Sequence, residues 1–232
     1  GRCYLSHYLS GRDGNRGECV QACRWEYVVH EKSRANNPLT VTGDERGTYI
    51  LNSKDLCTMP FLEKLMDAGI SSFKVEGRMK SEFYVATVIN AYRKRIDAIM
   101  IGTSSESLTA ELMAELEKAG NRGFTSGFYL GDEAEINAVS SKTKTEYEFI
   151  AEVLGYDHEK KALIVEQRNR FFRGDTLEIL SAGEHLNKTI VCDEIFNEDG
   201  ELVEDCKLVQ QKLFIKSDII LKEQDILRRS KK

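Results

Sequence analysis

Four of the six cysteines of this chain, Cys3, Cys19, Cys23 and Cys57, lie in its first quarter. Thiolates are soft ligands, and a tetrahedral set of them binds either zinc or an iron–sulfur cluster. Three residues separate Cys19 from Cys23 on one predicted loop, whereas Cys3 and Cys57 can join them only through the fold. The sequence therefore predicts a metal or cluster site, and buried thiols that act as small hydrophobic side chains are the alternative.

The other two cysteines, Cys192 and Cys206, flank strand-like sequence far from this group. We interpret them as buried hydrophobic residues. A disulfide scaffold is disfavoured, because small secreted domains carry cysteines at higher density and the polar, glycine-rich first residues do not resemble a signal peptide. The cysteine usage therefore indicates the reducing cytoplasm.

Charged residues alternate along Phe73–Lys80. If the preceding apolar residues at 70–75 form a strand of a parallel barrel, then Lys74, Glu76 and Arg78 lie at its carboxyl end, where such barrels place their active sites. A carboxylate beside a guanidinium can position an anionic substrate. We predict these three residues as catalytic candidates, and a structural ion pair at a strand end is the alternative.

The glycine-rich segment Ser10–Gly17 contains Arg12 and Arg16 and offers backbone donors as well. It predicts a pocket for an anionic cofactor or substrate, although a plain glycine-rich turn is the simpler interpretation. No Gly-Lys-Ser/Thr follows, so this is not a nucleoside-triphosphate loop. His7 is a possible ligand or base. The chain has no Ser/His/Asp order, HExxH or G-x-S-x-G motif, so no hydrolytic machinery is visible.

The composition is that of a globular protein of one large or two small domains, with 232 residues and 41% hydrophobic residues. No apolar run approaches the roughly 20 residues of a membrane helix, so we expect no membrane span. The 33 basic and 38 acidic residues give a net charge of −5, which argues against a uniformly basic nucleic-acid coat.

The predicted secondary structure that positions these residues changes near residues 140–146, from alternating helices and strands to short strands alone. Before this boundary, helices predicted at 61–68, 82–101 and 109–119 follow the helix and strand order of a parallel sheet or barrel. Two or three such units are too few for a closed eightfold barrel of about 250 residues. After the boundary, short strands separated by turns predict a small antiparallel barrel. These strands lie at about 147–154, 161–166, 176–180, 188–195 and 212–216.

The predicted fold class is α/β plus all-β. Residues 1–102 are predicted as the C-terminal portion of a TIM-like barrel, residues 103–145 as a connecting helix and loop, and residues 146–228 as a small β-barrel domain. Because the chain does not begin with methionine and its unusual sequence starts directly at Gly1, we also expect it to be a piece of a longer protein.

Basic residues in the second half are candidates for RNA contact. Arg168, Arg170 and Arg173 alternate with Phe171 and Phe172, and a basic tail that we expect to fray follows at 228–232. Arginines bind phosphates and aromatic rings stack on bases, although buried strand aromatics are the preferred interpretation of the two phenylalanines.

Four motifs occur in order along the chain: GRCYLSHYLSGRDGNRGECVQACRWEY, TYILNSKDLC, ISSFKVEGRMKSEFYVATVINAYR and NRGFTSGFY. Together they resemble the collagenase-like peptidase family U32, and RNRFFRGDTLEIL resembles the C-terminal domain of that family. The resemblance is strongest to the branch that hydroxylates tRNA, and it implies a TIM-like barrel followed by a small β-barrel.

The resemblance implies an iron–sulfur enzyme required for 5-hydroxylation of wobble uridine in tRNA. By motif, the ligands of a 4Fe–4S cluster are Cys3 in GRC, Cys19 and Cys23 in GECVQAC, and Cys57 in SKDLC. Prephenate is the implied small-molecule co-substrate, tRNA is the implied partner, and a homologous or redox protein is a further one. Two alternatives remain: a collagenase-like peptidase, as the family name states, and a non-enzymatic module that binds zinc.

Overall fold

The computed structural model describes residues 4–22, 42–44, 47–49, 53–131 and 145–231 of the chain. The chain divides into two compact units, residues 1–58 with 121–144 and residues 59–120 with 145–232. Each unit is therefore assembled from two separate stretches of sequence. None of the described helices has the length and apolar character that crossing a membrane requires.

The described part of the first unit contains one helix and two short strand pairs. Its elements are α1 (Tyr4–Ser10), a 3-10 turn (Gly14–Arg16), β1 (Thr42–Asp44), β2 (Gly47–Tyr49), β3 (Asp55–Leu56) and β4 (Phe124–Thr125). Strands β1 and β2 form an antiparallel hairpin, whereas β3 and β4 pair in parallel. The parallel pair joins the two sequence stretches of this unit.

Three helices of the second unit confirm the predicted helical segments. They are α2 (Leu62–Asp67), which follows a 3-10 turn (Met59–Phe61), α3 (Glu82–Met100) and α4 (Glu106–Lys118). Serine is a preferred N-cap residue, and the Ser81 hydroxyl caps α3 by accepting a hydrogen bond from the Tyr84 amide at 3.2 Å. Ser105 caps α4 in the same way at 3.1 Å, so α4 begins three residues earlier than predicted.

The prediction of a strand at 70–75 is wrong. Residues 70–77 run between α2 and α3 without regular secondary structure, and no described strand pairs with them. A strand needs a neighbouring backbone to accept and donate its ladder of hydrogen bonds, so apolar residues alone do not make one. The carboxyl end of a barrel strand is therefore not the observed setting of Lys74, Glu76 and Arg78.

The buried face of α3 also differs from the predicted one. Apolar residues at helical spacing, among them Val85, Val88 and Ile89, predict one buried face of this helix, but of these three only Val88 is buried. The buried positions follow the i, i+4 spacing of a helix, and they are Phe83, Thr87, Val88, Ala91, Arg95 and Ala98. The buried face of a helix depends on which elements pack against it. In α3 the buried face includes a threonine and an arginine, which an apolar pattern does not predict.

An antiparallel sheet forms most of residues 145–231, as predicted. Its strands are β5 (Tyr147–Asp157), β6 (Ala162–Gln167), β8 (Thr176–Leu180), β9 (Thr189–Val191), β10 (Ile195–Phe196), β12 (Lys212–Lys216) and β13 (Ile226–Ser230). They pair in the order β10-β12-β6-β5-β13-β8-β9. Ile190 and Ile195, from the two edge strands, share one buried core, so the sheet curls around it. The strand predicted at 188–195 is in fact two strands at opposite edges.

A second, two-stranded pair joins β7 (Phe171–Phe172) to β11 (Asp205–Cys206). The sequence did not predict β11 or β13, and the expectation of a frayed tail from residue 228 is wrong. Strand β13 lies in the interior of the sheet between β5 and β8, and its Leu227 and Arg228 are fully buried. The basic composition that suggested a tail is neutralised by carboxylates of the neighbouring elements, as described below.

Candidate functional site

The loop that carries Cys19 is tied to helix α1 by a buried serine. The Ser6 hydroxyl donates to the Arg12 carbonyl at 2.9 Å and accepts a hydrogen bond from the Val20 amide at 3.3 Å. Ser6 has no exposed surface, so both contacts are shielded from water. The position of the residue after Cys19 is thus set by a side chain of α1.

The backbone after Cys19 turns back toward its sulfur. Gln21 adopts φ = 56°, a conformation that is uncommon for residues other than glycine, and its amide donates to Cys19 Sγ at 3.4 Å. In iron–sulfur sites, hydrogen bonds to the ligand sulfurs are among the features that tune the cluster. Cys3 and Cys23, the other two predicted ligands near the N-terminus, lie outside the described residues.

Cys57 is buried at the end of the parallel strand pair. Its amide donates to the Thr125 carbonyl at 2.9 Å, and its side chain is 5% exposed. Among the described residues, no three His, Cys, Asp or Glu side chains form a metal-binding group. The ligand set predicted from the sequence therefore has two described members, Cys19 and Cys57, both in the first unit.

In the Asn121–Gly123 segment, the Arg122 side chain binds a carboxylate of the same chain. The Arg122 guanidinium donates to Asp55 Oδ1 through Nε at 3.1 Å and through Nη2, and the Arg122 amide donates to Asp55 Oδ2 at 3.3 Å. Both side chains are largely buried. This ion pair, two residues before Cys57, was not predicted from the sequence because its partners are distant along the chain.

The predicted anion pocket at Arg12 and Arg16 is an exposed turn. His7 Nδ1 lies 2.8 Å from Asp13 Oδ1, and Arg16 Nε lies 3.8 Å from the other oxygen of the same carboxylate. Both arginine side chains are exposed. Asp13 therefore neutralises part of the positive charge of this turn, and the role of Arg12 and Arg16 toward a cofactor stays a prediction.

The three predicted catalytic residues, Lys74, Glu76 and Arg78, are all exposed. Glu76 Oε1 accepts a hydrogen bond from the Arg78 backbone amide at 3.0 Å. The contact between these two residues is therefore a side-chain-to-backbone turn rather than the predicted carboxylate–guanidinium pair. Their catalytic role stays a prediction.

The arginines predicted to contact RNA are paired with carboxylates. Arg170 binds both carboxylate oxygens of Asp205 at 2.9 Å, and Arg173 contacts Glu204 at 2.8 Å. Arg168 lies among Glu152, Glu166 and Glu82, at 2.5, 3.2 and 3.7 Å. The hydrogen bond from Arg170 holds the pKa of Asp205 below its usual range, so this carboxylate stays ionised. Little of the positive charge at 168–173 is left for phosphate.

A buried ion cluster, which the sequence did not reveal, joins α4 to the sheet. Arg228 contacts Glu115 on α4 at 2.5 Å and Glu178 on β8 at 2.7 Å, while Lys118 contacts the same two carboxylates at 3.0 and 2.7 Å. Arg228 and Lys118 both donate to Asn187 Oδ1, at 2.7 and 2.6 Å. The two positive and two negative charges cancel, which is the condition for burying them.

Glu115 makes the cluster sensitive to acid. Burial by itself raises the pKa of Glu115, but the adjacent Arg228 and Lys118 outweigh burial, and the pKa is lowered overall. A lowered pKa in the folded state adds stability above the unfolded pKa of about 4.3, and that contribution is lost as the pH falls through the folded value.

Glu115→Gln is therefore expected to lower the free energy of unfolding at pH 7 by about 1–3 kcal/mol. The difference from wild type should shrink as the pH falls below about 4. Urea unfolding at pH 7, 5, 4 and 3 measures both quantities. A difference that stays constant across this range would contradict the assignment.

Cys192 and Cys206 are fully buried in the sheet core, as the sequence predicted. Burial raises the pKa of each thiol to about 12. At neutral pH both are therefore protonated and shielded, which makes them poor nucleophiles and poor metal ligands.

Comparison with known proteins agrees with the order of the motifs. Residues 1–139 match the model of peptidase family U32, and residues 145–228 match that of the peptidase family U32 C-terminal domain. The chain belongs to peptidase family U32.

The U32 relatives carry two kinds of name. A "tRNA hydroxylation protein P1" from Bacillus subtilis is 35% identical over 100% of this chain, and a "tRNA hydroxylation protein P" from Escherichia coli is 31% identical over 87% of it.

A "Collagenase" from Porphyromonas gingivalis is 40% identical over 56% of this chain and 30% of its own length. The chain spans 55% and 52% of the two tRNA hydroxylation proteins, or about half their length. A crystal structure of the C-terminal domain of a U32 peptidase from Geobacillus thermoleovorans is 34% identical, with a TM-score of 0.33. It covers 35% of this chain and 99% of that domain.

Proposed function

We propose that this chain is part of a cytoplasmic enzyme required for 5-hydroxylation of wobble uridine in tRNA. The observation that carries the proposal is the 35% identity, over the whole chain, to a protein named for tRNA hydroxylation. The substrate of the enzyme is then tRNA, prephenate is its small-molecule co-substrate, and a homologous or redox protein is a further partner. The first 102 residues are proposed to be the C-terminal portion of a TIM-like barrel, and residues 146–228 a small β-barrel.

The proposed cofactor is a 4Fe–4S cluster held by Cys3, Cys19, Cys23 and Cys57. The two described members of this set fit such a group: Cys19 receives an amide hydrogen bond at its sulfur, and Cys57 is shielded from water. Hydrogen bonds to sulfur and exclusion of solvent both tune cluster potentials. A bound cluster would supply one-electron transfer, and the chain would supply the thiolates and their orientation.

Charged side chains of the chain are proposed to bind the anionic co-substrate. Arg12 and Arg16 are exposed beside the Cys19 loop and can pair with carboxylates. Lys74, Glu76 and Arg78 are exposed on one short segment and remain the catalytic candidates. Removal of the positive charge of Arg12 or Arg16 should raise the co-substrate concentration that is needed.

The second candidate function is peptide hydrolysis, which the collagenase-named relatives favour. A thiol nucleophile would need a base within hydrogen-bond reach. Among the described residues, His7, the base considered for Cys19, hydrogen-bonds to Asp13 at 2.8 Å and not to Cys19. A zinc-binding module without enzymatic activity is the third candidate, because the same thiols bind zinc.

Mass spectrometry of tRNA nucleosides tests the first proposal. Deletion of the gene should remove 5-hydroxyuridine derivatives, and the full-length wild-type gene should restore them. Cys57→Ser should fail to restore them, whereas Cys192→Ala, the matched change of a buried core thiol, should succeed. Unchanged modification after deletion would refute the function, and full activity of Cys57→Ser would refute the role of that thiol.

Metal analysis of the full-length protein, purified without oxygen, separates the three candidates. Iron and sulfide in near-equal amounts, with a visible band that dithionite bleaches, support the cluster. Zinc alone supports the module, and gelatin cleavage that Cys19→Ser or Cys57→Ser abolishes supports the peptidase.

A further inference from the structure

The Asp55–Arg122 ion pair lies where two distant segments meet. The two residues are 67 positions apart, and three donors of Arg122 converge on one carboxylate. The side chains are only 14% and 8% exposed. Removing two charges from water costs free energy, and well-packed apolar side chains at the same positions would not carry this cost. Stability alone therefore does not explain why the pair is present.

The strand pairing beside this ion pair is very short. Strands β3 and β4 have two residues each, and the flanking contacts are Asp55 N–H to Gly123 O at 2.8 Å and Cys57 N–H to Thr125 O at 2.9 Å. A pairing of two residues on each strand specifies register weakly by itself. Because side chains alternate between faces along a strand, a slip by one residue would turn the Cys57 side chain to the opposite face.

We propose that Arg122 is a positioning residue, which fixes the register of β3 on β4 through Asp55 and thereby orients the Cys57 thiol. Two guanidinium nitrogens of Arg122 donate to Asp55 Oδ1 and its backbone amide donates to Oδ2, and a directional contact of this kind is suited to selecting one register. The proposal rests on the assignment of Cys57 as a ligand under the proposed function. In this proposal Arg122 does not contact substrate, and it acts only through Asp55.

The test uses the full-length protein with Arg122→Met, Arg122→Lys and Asp55→Asn. The matched control is Arg93→Met, which removes an exposed arginine from its pair with Asp97. The first readout is iron and sulfide content after anaerobic purification. The second is the alkylation rate of each cysteine in cluster-free protein, measured by peptide mass spectrometry, with buried Cys192 as the internal reference.

Arg122→Met should weaken iron retention about 10–100-fold, as loss of an outer-shell contact typically does. Alkylation of Cys57 should become at least about tenfold faster, because local opening exposes the thiol. Asp55→Asn should act in the same direction. Arg122→Lys should give intermediate values, because lysine keeps the charge without the fork. Arg93→Met should match wild type in both readouts.

Two results would overturn the positioning role. One is unchanged iron content and Cys57 alkylation in Arg122→Met. The other is equal acceleration at Cys57 and Cys192, which would mean that the pair serves global stability. If wild-type protein binds no iron but Arg122→Met still exposes Cys57 selectively, the positioning role stands and the proposed cluster fails.

Discussion

Arg228→Met is expected to lower the free energy of unfolding by about 3–5 kcal/mol, because it leaves buried carboxylates without their main positive partner. Arg228 has no exposed surface and contacts Glu115 at 2.5 Å and Glu178 at 2.7 Å. Lys118 alone would then face two carboxylates. Urea unfolding followed by circular dichroism measures the loss. Hydrogen exchange of the amides of β13 and β8 should locate it in the sheet.

Arg170→Met is the matched control for this prediction. Arg170 also binds a carboxylate with two nitrogens, but its side chain is 59% exposed. An exposed pair is screened by water, so the expected loss is much smaller than for Arg228→Met. Equal losses for the two variants would contradict the burial argument. A double-mutant cycle of Arg228→Met with Glu115→Gln measures the part that belongs to this pair.

Phe171→Ala is expected to destabilise the protein by about 3–5 kcal/mol, since it removes a fully buried ring and leaves a cavity. Phe171 has no exposed surface and belongs to the core cluster of the sheet. It is paired with Cys206 across β7 and β11, and most other members of its cluster belong to the seven-stranded sheet, so the cavity would be enclosed by packed core residues. Thermal and urea unfolding check the size of the loss.

Phe172→Ala, one residue away, is the control, and it also tests the RNA prediction. The Phe172 ring is 42% exposed and lies 4.9 Å from the Arg170 guanidinium. We expect a loss of stability below about 1 kcal/mol. If Phe172 stacks on a base, this variant should bind tRNA less tightly while staying folded. Similar destabilisation by the two alanine variants would contradict the assigned burial.

Local signals account for the parts of the fold that the sequence predicted correctly. Ser81 caps α3 through a hydrogen bond that reaches only three residues along the chain, so the start of α3 could be placed without its surroundings. The start of α4 was missed, although Ser105 provides a local signal of the same kind. Strands β8 and β12 were also placed correctly, because their apolar residues are bounded by turns. The inaccurate predictions involve partners that are distant in sequence.

The candidate site shows the same difference between features set by local sequence and features set by distant residues. The thiols at positions 19 and 57 were singled out by residue type, because few side chains bind soft metals. Nothing near Cys57 in the sequence indicated that Arg122 would bind Asp55, and nothing near Arg228 indicated that Glu115 would neutralise it. Sequence patterns describe neighbours along the chain, whereas a buried charge depends on neighbours in space.

The amino-acid sequence by itself therefore determined helices α2, α3 and α4, the antiparallel sheet of the C-terminal part, the buried Cys192 and Cys206, and membership of family U32 through ordered motifs. Helix α1 was not predicted. Only the tertiary structure decided which face of α3 is buried, that residues 70–77 lack a strand partner, and that the basic C-terminal residues form β13. The physical reason is that caps, turns and periodicity act over a few residues. Strand pairing and the burial of charge require groups brought together from distant parts of the chain.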